Sequence, residues 1–340
     1  MRLQLLFLWI GAAFAAGHYP LGINLGMKYI TAASLTATNE SVPVAKREGS
    51  QAYKNHMAKL VEDSGIRMVL HRTVYIRSGD SYAEAPSEYH GYSASDRELI
   101  ANIFKEITES AIQSVGQVPE IITASIPTGL DRIARNHLTE TIMHRNAHSS
   151  VPKVLQVLEF LNAARLAYDL DTSEALGHEE RFDLLDGPLN LVACVDHNAH
   201  SLDMWTADVT ELAADSNDAE HAQARFPDLG ADMADATEDK ISQRIQQFIK
   251  GLLASDDGQH VRAVVVTGEA SAAVMEVIRN TTKAALPDGK KSLLRDQIDP
   301  AFVAAVGAAQ RARKLGQIPD LHHDHDHHHD AIPLYLHDEL

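Results

Sequence analysis

Four apolar runs rich in β-branched residues, at 22–25, 121–126, 189–195 and 263–267, alternate with longer segments of helical period. That alternation constrains the chain to α/β layers. A further strand, alternating in polarity, is expected over 201–209. Residues 96–115 place Leu99, Ile100, Ile103, Phe104, Ile107, Ala111 and Ile112 on one helical face, with Ser93 or Ser95 as the cap. Residues 154–168 are apolar almost all round and read as a helix buried between layers; 239–253 and 270–286 continue the alternation. Asp299-Pro300 opens a last Ala-rich helix reaching about Leu315, with Pro in its first turn. The polar, tyrosine-rich stretch 38–95 predicts a small subdomain with little regular structure.

The 340 residues, 45% hydrophobic, suffice for one large or two ordinary domains. Residues 1–16 have the make-up of a secretory signal: Arg2, the apolar run 3–10, then the small-residue site Ala13-Phe14-Ala15. That run is too short to span a membrane, and no later segment approaches twenty apolar residues. The chain closes His337-Asp338-Glu339-Leu340, a receptor-read retention address, so the expected compartment is the lumen of the endoplasmic reticulum and the retention receptor is one expected partner. A net charge of −17 argues against nucleic acid or an anionic membrane as partner. Eleven acids against one Arg between Asp203 and Asp239 read as a solvated, partly loop-like insertion. Cys194, alone within an apolar run, reads as a core residue. Asn39-Glu40-Ser41 and Asn280-Thr281-Thr282 make Asn39 and Asn280 candidate glycosylation sites.

Two strand–turn–strand segments carry the chemistry. They are Gly22-Ile23-Asn24-Leu25-Gly26-Met27-Lys28-Tyr29 and Val195-Asp196-His197-Asn198-Ala199-His200-Ser201-Leu202-Asp203. Both have the layout of a hairpin that grips phosphate, where a glycine lets the backbone approach the anion closely. Further along come Val154-Leu155-Gln156-Val157-Leu158 with Ala163-Ala164-Arg165-Leu166-Ala167-Tyr168-Asp169-Leu170-Asp171, then Val265-Val266-Thr267-Gly268-Glu269-Ala270-Ser271, then Asp299-Pro300-Ala301-Phe302 leading into the last helix. Taken in this order the segments resemble the nucleotide-binding domain of the seventy-kilodalton heat-shock chaperones, within the actin-like ATPases. The resemblance covers residues 20–314. It implies a two-lobed actin-like fold with ribonuclease H-like sheets, a first lobe at 20–172, a shortened second lobe at 173–315, and ATP or ADP with magnesium in the cleft between them. The 154–171 segment would be the first connecting helix, 265–271 the adenosine turn and 299–309 the start of the second connecting helix. Residues 316–340 form a His/Asp-rich tail expected to be disordered.

ATP hydrolysis in such a cleft needs close phosphate contact, carboxylates around magnesium and a residue that orients water. If nucleotide binds, the resemblance places Gly22, Asn24, Gly26, Lys28, Asp196, Ser201, Asp203, Gly268 and Glu269 around it. Departures from the family pattern are spread through the site. Asn24 stands for a magnesium-shell Asp, Met27-Lys28 for two hydroxyl residues, and Asn198, Ala199 and His200 for three glycines. Phe160 stands for the catalytic Glu, Leu161 for a Pro, Glu269 for a glycine and Ala272 for an arginine. A phenyl ring cannot orient water, and side chains at 198–200 are expected to crowd the phosphates. Lys28 either pairs with phosphate or reaches solvent. No catalytic residue is therefore expected, and the chain reads as a lumenal pseudo-ATPase that binds or regulates a protein partner, such as chaperone machinery. Two alternatives stay open: a weakly active ATP-binding chaperone-type ATPase, and a metal-binding protein acting through His322, His323, His325, His327, His328 and His329. His197, His200, Asp196 and Asp203 form a lesser candidate metal group.

Overall fold

A computed structural model of the protein describes residues 19–78, 93–128, 130–145, 154–178, 189–210, 214–215, 223–234 and 236–318. The signal-like segment, the His-rich tail and its retention address lie outside them, as do the candidate metal ligands at 322–329. Among the described residues the chain is α/β, with two mixed sheets.

The first sheet starts from β1 (Pro20–Leu25), which pairs antiparallel with β2 (Tyr29–Leu35), itself antiparallel to β3 (Ser41–Glu48). On its other side β1 runs parallel to β4 (Ile121–Ile126), and β4 to β5 (Val154–Glu159), giving the order β3-β2-β1-β4-β5. The second sheet repeats this plan. Its β6 (Leu191–His197) is antiparallel to β7 (Leu202–Val209), which also pairs with β8 (Ala214–Asp215) and β9 (Gln223–Phe226). On its other edge β6 is parallel to β10 (Val261–Gly268), and β10 to β11 (Leu294–Arg295). Each sheet is thus an antiparallel meander extended by two parallel strands, and each half forms one lobe.

Alternation along the strands sorts side chains between layers. In β1, Leu21, Ile23 and Leu25 join an outer core with α1 (Gln51–Ser78), α2 (Ala94–Val115) and α3 (Arg132–Arg145). In β6, Leu191, Ala193 and Val195 do the same with α5 (Glu238–Ala254) and α6 (Ala272–Ala285). Between the lobes run α4 (Phe160–Ala167) and α7 (Val303–Gly316), packed with Val192, Cys194 and Val265 of the second sheet. Cys194 is buried there, as its apolar run predicts.

The small residues of this inner layer have a steric reason. A Cβ added to Gly22 would lie 2.0 Å from the Ala305 carbonyl oxygen, and one on Gly307 would lie 1.7 Å from that of Ala163. The backbone of β1 therefore lies directly against α7, and α7 against α4. Gly22 serves this packing.

Three expectations need correction. Residues 154–168 are a strand followed by a short helix, because the Val154–Glu159 run pairs with β4; a continuously apolar run does not separate a buried parallel strand from a buried helix. The described part of 38–95 is regular: β3 is followed by the 28-residue α1, whose buried stripe of Tyr53, His56, Met57, Leu60 and Ser64 is hidden in a polar sequence. The acidic stretch after 203 begins as the buried strand β7 and includes β9. At α2 the cap resolves to Ser93, which forms a capping box with Asp96.

Candidate functional site

The β1–β2 and β6–β7 turns face each other across the interlobe cleft, and each is filled by a side chain of the protein. In the first turn Gly26 N–H donates to the Tyr29 carbonyl at 3.1 Å, and the Tyr53 hydroxyl donates to the Gly26 carbonyl at 2.7 Å. The amides of Lys28 and Tyr29 point into the carboxylate of Glu269, from the other lobe. Lys28 N–H donates to Oε2 at 2.9 Å and to Oε1 at 3.2 Å, and Tyr29 N–H to Oε1 at 3.1 Å. A Cβ on Gly26 would lie 2.0 Å from Glu269 Oε1, so the turn admits the carboxylate only with glycine there. Successive N–H groups converging on one anion are the means by which such turns hold phosphate.

Glu269 is aimed by the end of β10. Gly268 has φ 149°, a Cβ there would lie 2.5 Å from the His197 carbonyl oxygen, and Glu269 N–H donates to that same oxygen at 3.0 Å. Burial pushes the Glu269 carboxyl up to about 7, with Asp196 adding to the rise and the Tyr29 and Lys28 amides and Lys46 opposing it.

The second turn is occupied from within. Asn198 Oδ1 accepts from the backbone N–H of His200 at 2.9 Å and of Ser201 at 3.0 Å. Its Nδ2 faces Asp196, Ser201 and Asp203 at 3.2–3.3 Å. The expected crowding at 198–200 thus takes a specific form: Asn198 folds inward and takes up the amides that would face an anion.

Asp196 and Asp203 are directly opposed in register, and each has its own partner. Arg225 of β9 donates from Nε to Asp203 Oδ1 at 2.8 Å and from Nη2 to Oδ2 at 2.9 Å, and Ser201 Oγ donates to Oδ2 at 2.9 Å. Thr267 Oγ1 donates to Asp196 Oδ1 at 2.8 Å. Burial and then Asp203 push the Asp196 carboxyl up to about 6. The lesser metal group does not assemble: His197 lies one residue from Asp196 on a strand, hence on the opposite face, and its Nε2 is 2.8 Å from the Leu229 carbonyl oxygen.

Other predicted positions fall into place around the cleft. Lys28 Nζ lies at the solvent-exposed rim of the cleft, where it pairs with Asp232 Oδ1 at 2.6 Å. Phe160 begins α4 and meets Trp205 edge to face, with centroids 6.5 Å apart. Asn24 is buried. The cavity that Asn24, Phe160, Asp196, Trp205 and Glu269 enclose has a volume of about 50 Å³. Sites for small organic ligands start at about 300 Å³, so this space is well below the size of such a site. A larger polar pocket of about 380 Å³ opens beyond Glu269, between Lys28, Lys46, His197, Glu238 and Ser271.

No protein-family model matches the chain, and no curated protein matches it significantly.

Arg225, Thr267 and Trp205 were missed as site residues. Arg225 is the lone cation of an acidic stretch, a signal that an acid is being neutralised, but its partner is fixed only by the β7–β9 register, Asp203 against Arg225. Both sequons fall on exposed asparagines. Asn39 occupies the β2–β3 turn at φ 68°, accepting from Arg313 Nη1 at 2.8 Å, and Asn280 lies on α6 beside a buried Thr282. No described helix is long and apolar enough to cross a membrane.

Proposed function

We propose that the chain is an actin-like, two-lobed pseudo-ATPase of the endoplasmic reticulum lumen, acting as a binding or regulatory module for a protein partner. The observation that carries this reading is the Glu269 carboxylate seated on the amides of Lys28 and Tyr29, where a phosphate would stand in an active member of the fold. The matching strand orders, the Asn198-filled second turn and the 50 Å³ cleft support it. Phe160 and Trp205 line the space that a water-orienting carboxylate would need. Location and retention rest on the signal-like N-terminal residues and the closing His-Asp-Glu-Leu.

Calorimetric titration of the protein with ATP and with ADP, each with magnesium, tests the proposal. A flat response is expected, and micromolar affinity for either would overturn it. A second reading, nucleotide binding without turnover, is favoured by one observation: the 380 Å³ pocket lies against the 268–271 turn and is flanked by Lys28 and Lys46. Under that reading the titration gives heat that Lys46→Ala reduces. Antibody staining of a tagged chain, with the tag placed before residue 337, tests the location; a cytosolic pattern would refute it.

A further inference from the structure

The β2–β3 turn is closed by bonds that leave one side-chain nitrogen facing outward. Thr36 N–H donates to the Glu40 carbonyl at 2.9 Å, Asn39 N–H to the Thr36 carbonyl at 3.0 Å, and Glu40 N–H to Thr36 Oγ1 at 3.0 Å. Asn39 takes the left-handed conformation the loop requires, at φ 68°, which asparagine tolerates better than most residues. Its side chain is held from the far end of the chain. Arg313 donates from Nη1 to Asn39 Oδ1 at 2.8 Å and from Nη2 to the Leu35 carbonyl at 3.1 Å. A guanidinium only donates, so the atom facing it is the carboxamide oxygen and Nδ2 points elsewhere. Nδ2 has no partner among the described residues, and Thr38, Asn39, Glu40 and Ser41 are all exposed.

The second sequon has the opposite geometry. Asn280 lies within α6, and its Nδ2 is already engaged, donating to Glu276 Oε1 at 3.1 Å. An α-helix sets residues two apart roughly 200° from each other around its axis, so the Asn280 carboxamide and the Thr282 hydroxyl diverge. Thr282 is 0% exposed. Both arrangements are local, set within the turn and within the Ser271-capped helix. Helices form in about a microsecond, against synthesis at about 5–20 residues per second, so the contrast is present while the chain is being made.

We propose that Asn39 carries an N-linked glycan and that Asn280 stays bare. The inference rests on the lumenal location proposed above. The donor is an oligosaccharide carried on a lipid diphosphate. Asn39 Nδ2 bonds to the anomeric carbon of the first sugar and gives up a proton, while the bond from that carbon to the diphosphate breaks and the lipid diphosphate leaves. Oδ1 remains an amide oxygen throughout, so the Arg313 contact is kept. Acceptor asparagines belong to surface loops, and Asn39 meets that condition where Asn280 does not.

The test uses the full chain with its own N-terminal segment, expressed in secretory cells, with a reporter sequon Asn-Gly-Thr inserted before residue 337. Glycans are counted by gel mobility before and after enzymatic removal of N-linked sugar. Two steps are expected, one from the reporter and one from Asn39. Ser41→Ala, which leaves the turn and the Arg313 contact in place, is expected to lose one step, as is Asn39→Gln; Asn280→Gln is expected to lose none. A modified reporter with no second step, an unshifted Ser41→Ala, or a step lost in Asn280→Gln would overturn the site while leaving the location standing. An unmodified reporter would overturn the location and this inference with it.

Discussion

Removing the Glu269 carboxylate leaves the Lys28 and Tyr29 amides facing an empty space in the cleft. Unsatisfied buried donors of this kind cost about 1–3 kcal/mol. The variant Glu269→Gly should lose about that much in urea unfolding at pH 6, and it should gain a stabilisation by added phosphate that the natural chain lacks, visible as a rise in Tm. Asp203 presents the complementary case, because its carboxylate is 5% exposed and depends on the Arg225 fork. Arg225 is itself partly open to solvent, which tempers the loss. Arg225→Ala should cost about 2–4 kcal/mol, measured by denaturant unfolding at pH 7, since it strands a buried charge. A loss below about 0.5 kcal/mol would show that Asp203 is solvated when Arg225 is gone.

Among elements, α7 is the most constrained. Every residue from Val303 to Ala309 is buried, and the close approach at Gly307 leaves no room for a methyl group against Ala163. Gly307→Ala must push α7 and α4 apart, and overpacking of this sort costs about 1–3 kcal/mol or more. Gly251 in α5 provides the control, being exposed with nothing within 4 Å of an added Cβ. Gly251→Ala should stabilise the protein by about 0.5–1 kcal/mol through helix propensity alone. The pair, compared by denaturant midpoint, separates the steric role of glycine from its intrinsic flexibility. Helix α1 gives the opposite lesson: over its described side chains, residues 51–64, the buried stripe is Tyr53, His56, Met57, Leu60 and Ser64, two of them polar, so the sequence there shows no apolar period.

For the whole molecule, stability depends on two sets of buried titratable groups with opposing signs. The Glu269 and Asp196 carboxyls, at about 7 and 6, bind protons more tightly folded than unfolded, so their contribution is complete below the ordinary carboxyl range and is lost as pH rises through those values. The His56, His137, His197 and His200 rings are harder to protonate when folded, because burial opposes their charge. Their contribution is present above the ordinary histidine value and is lost as pH falls, for His137 through about 4. Stability should therefore be greatest slightly below neutrality. Glu269→Gln should exceed the natural chain by about 3 kcal/mol at pH 8 and come within about 0.5 kcal/mol of it near pH 4.5, measured by urea unfolding across the range. Equal stability of the two proteins at pH 8 would contradict the buried position of this carboxyl.

Local period, caps and short-range pairing suffice to read the α/β class, the strands at the heart of each sheet, the helix expected at 96–115 and the two hairpins from the sequence. It also marked Asn198 and Glu269 as departures from a phosphate grip. What occupies the turns was decided only by the tertiary structure. Glu269 is 241 residues from Lys28 in the chain and Arg225 is 22 from Asp203, and no local pattern specifies such partners. The strand at 154–159 became distinguishable from a helix only once β4 lay beside it, and Gly22 acquired its role only when α7 crossed it. Periodicity reports which face of an element is apolar; which element covers that face, and which charge meets which amide, follows from how the two sheets and the helices between them close on one another.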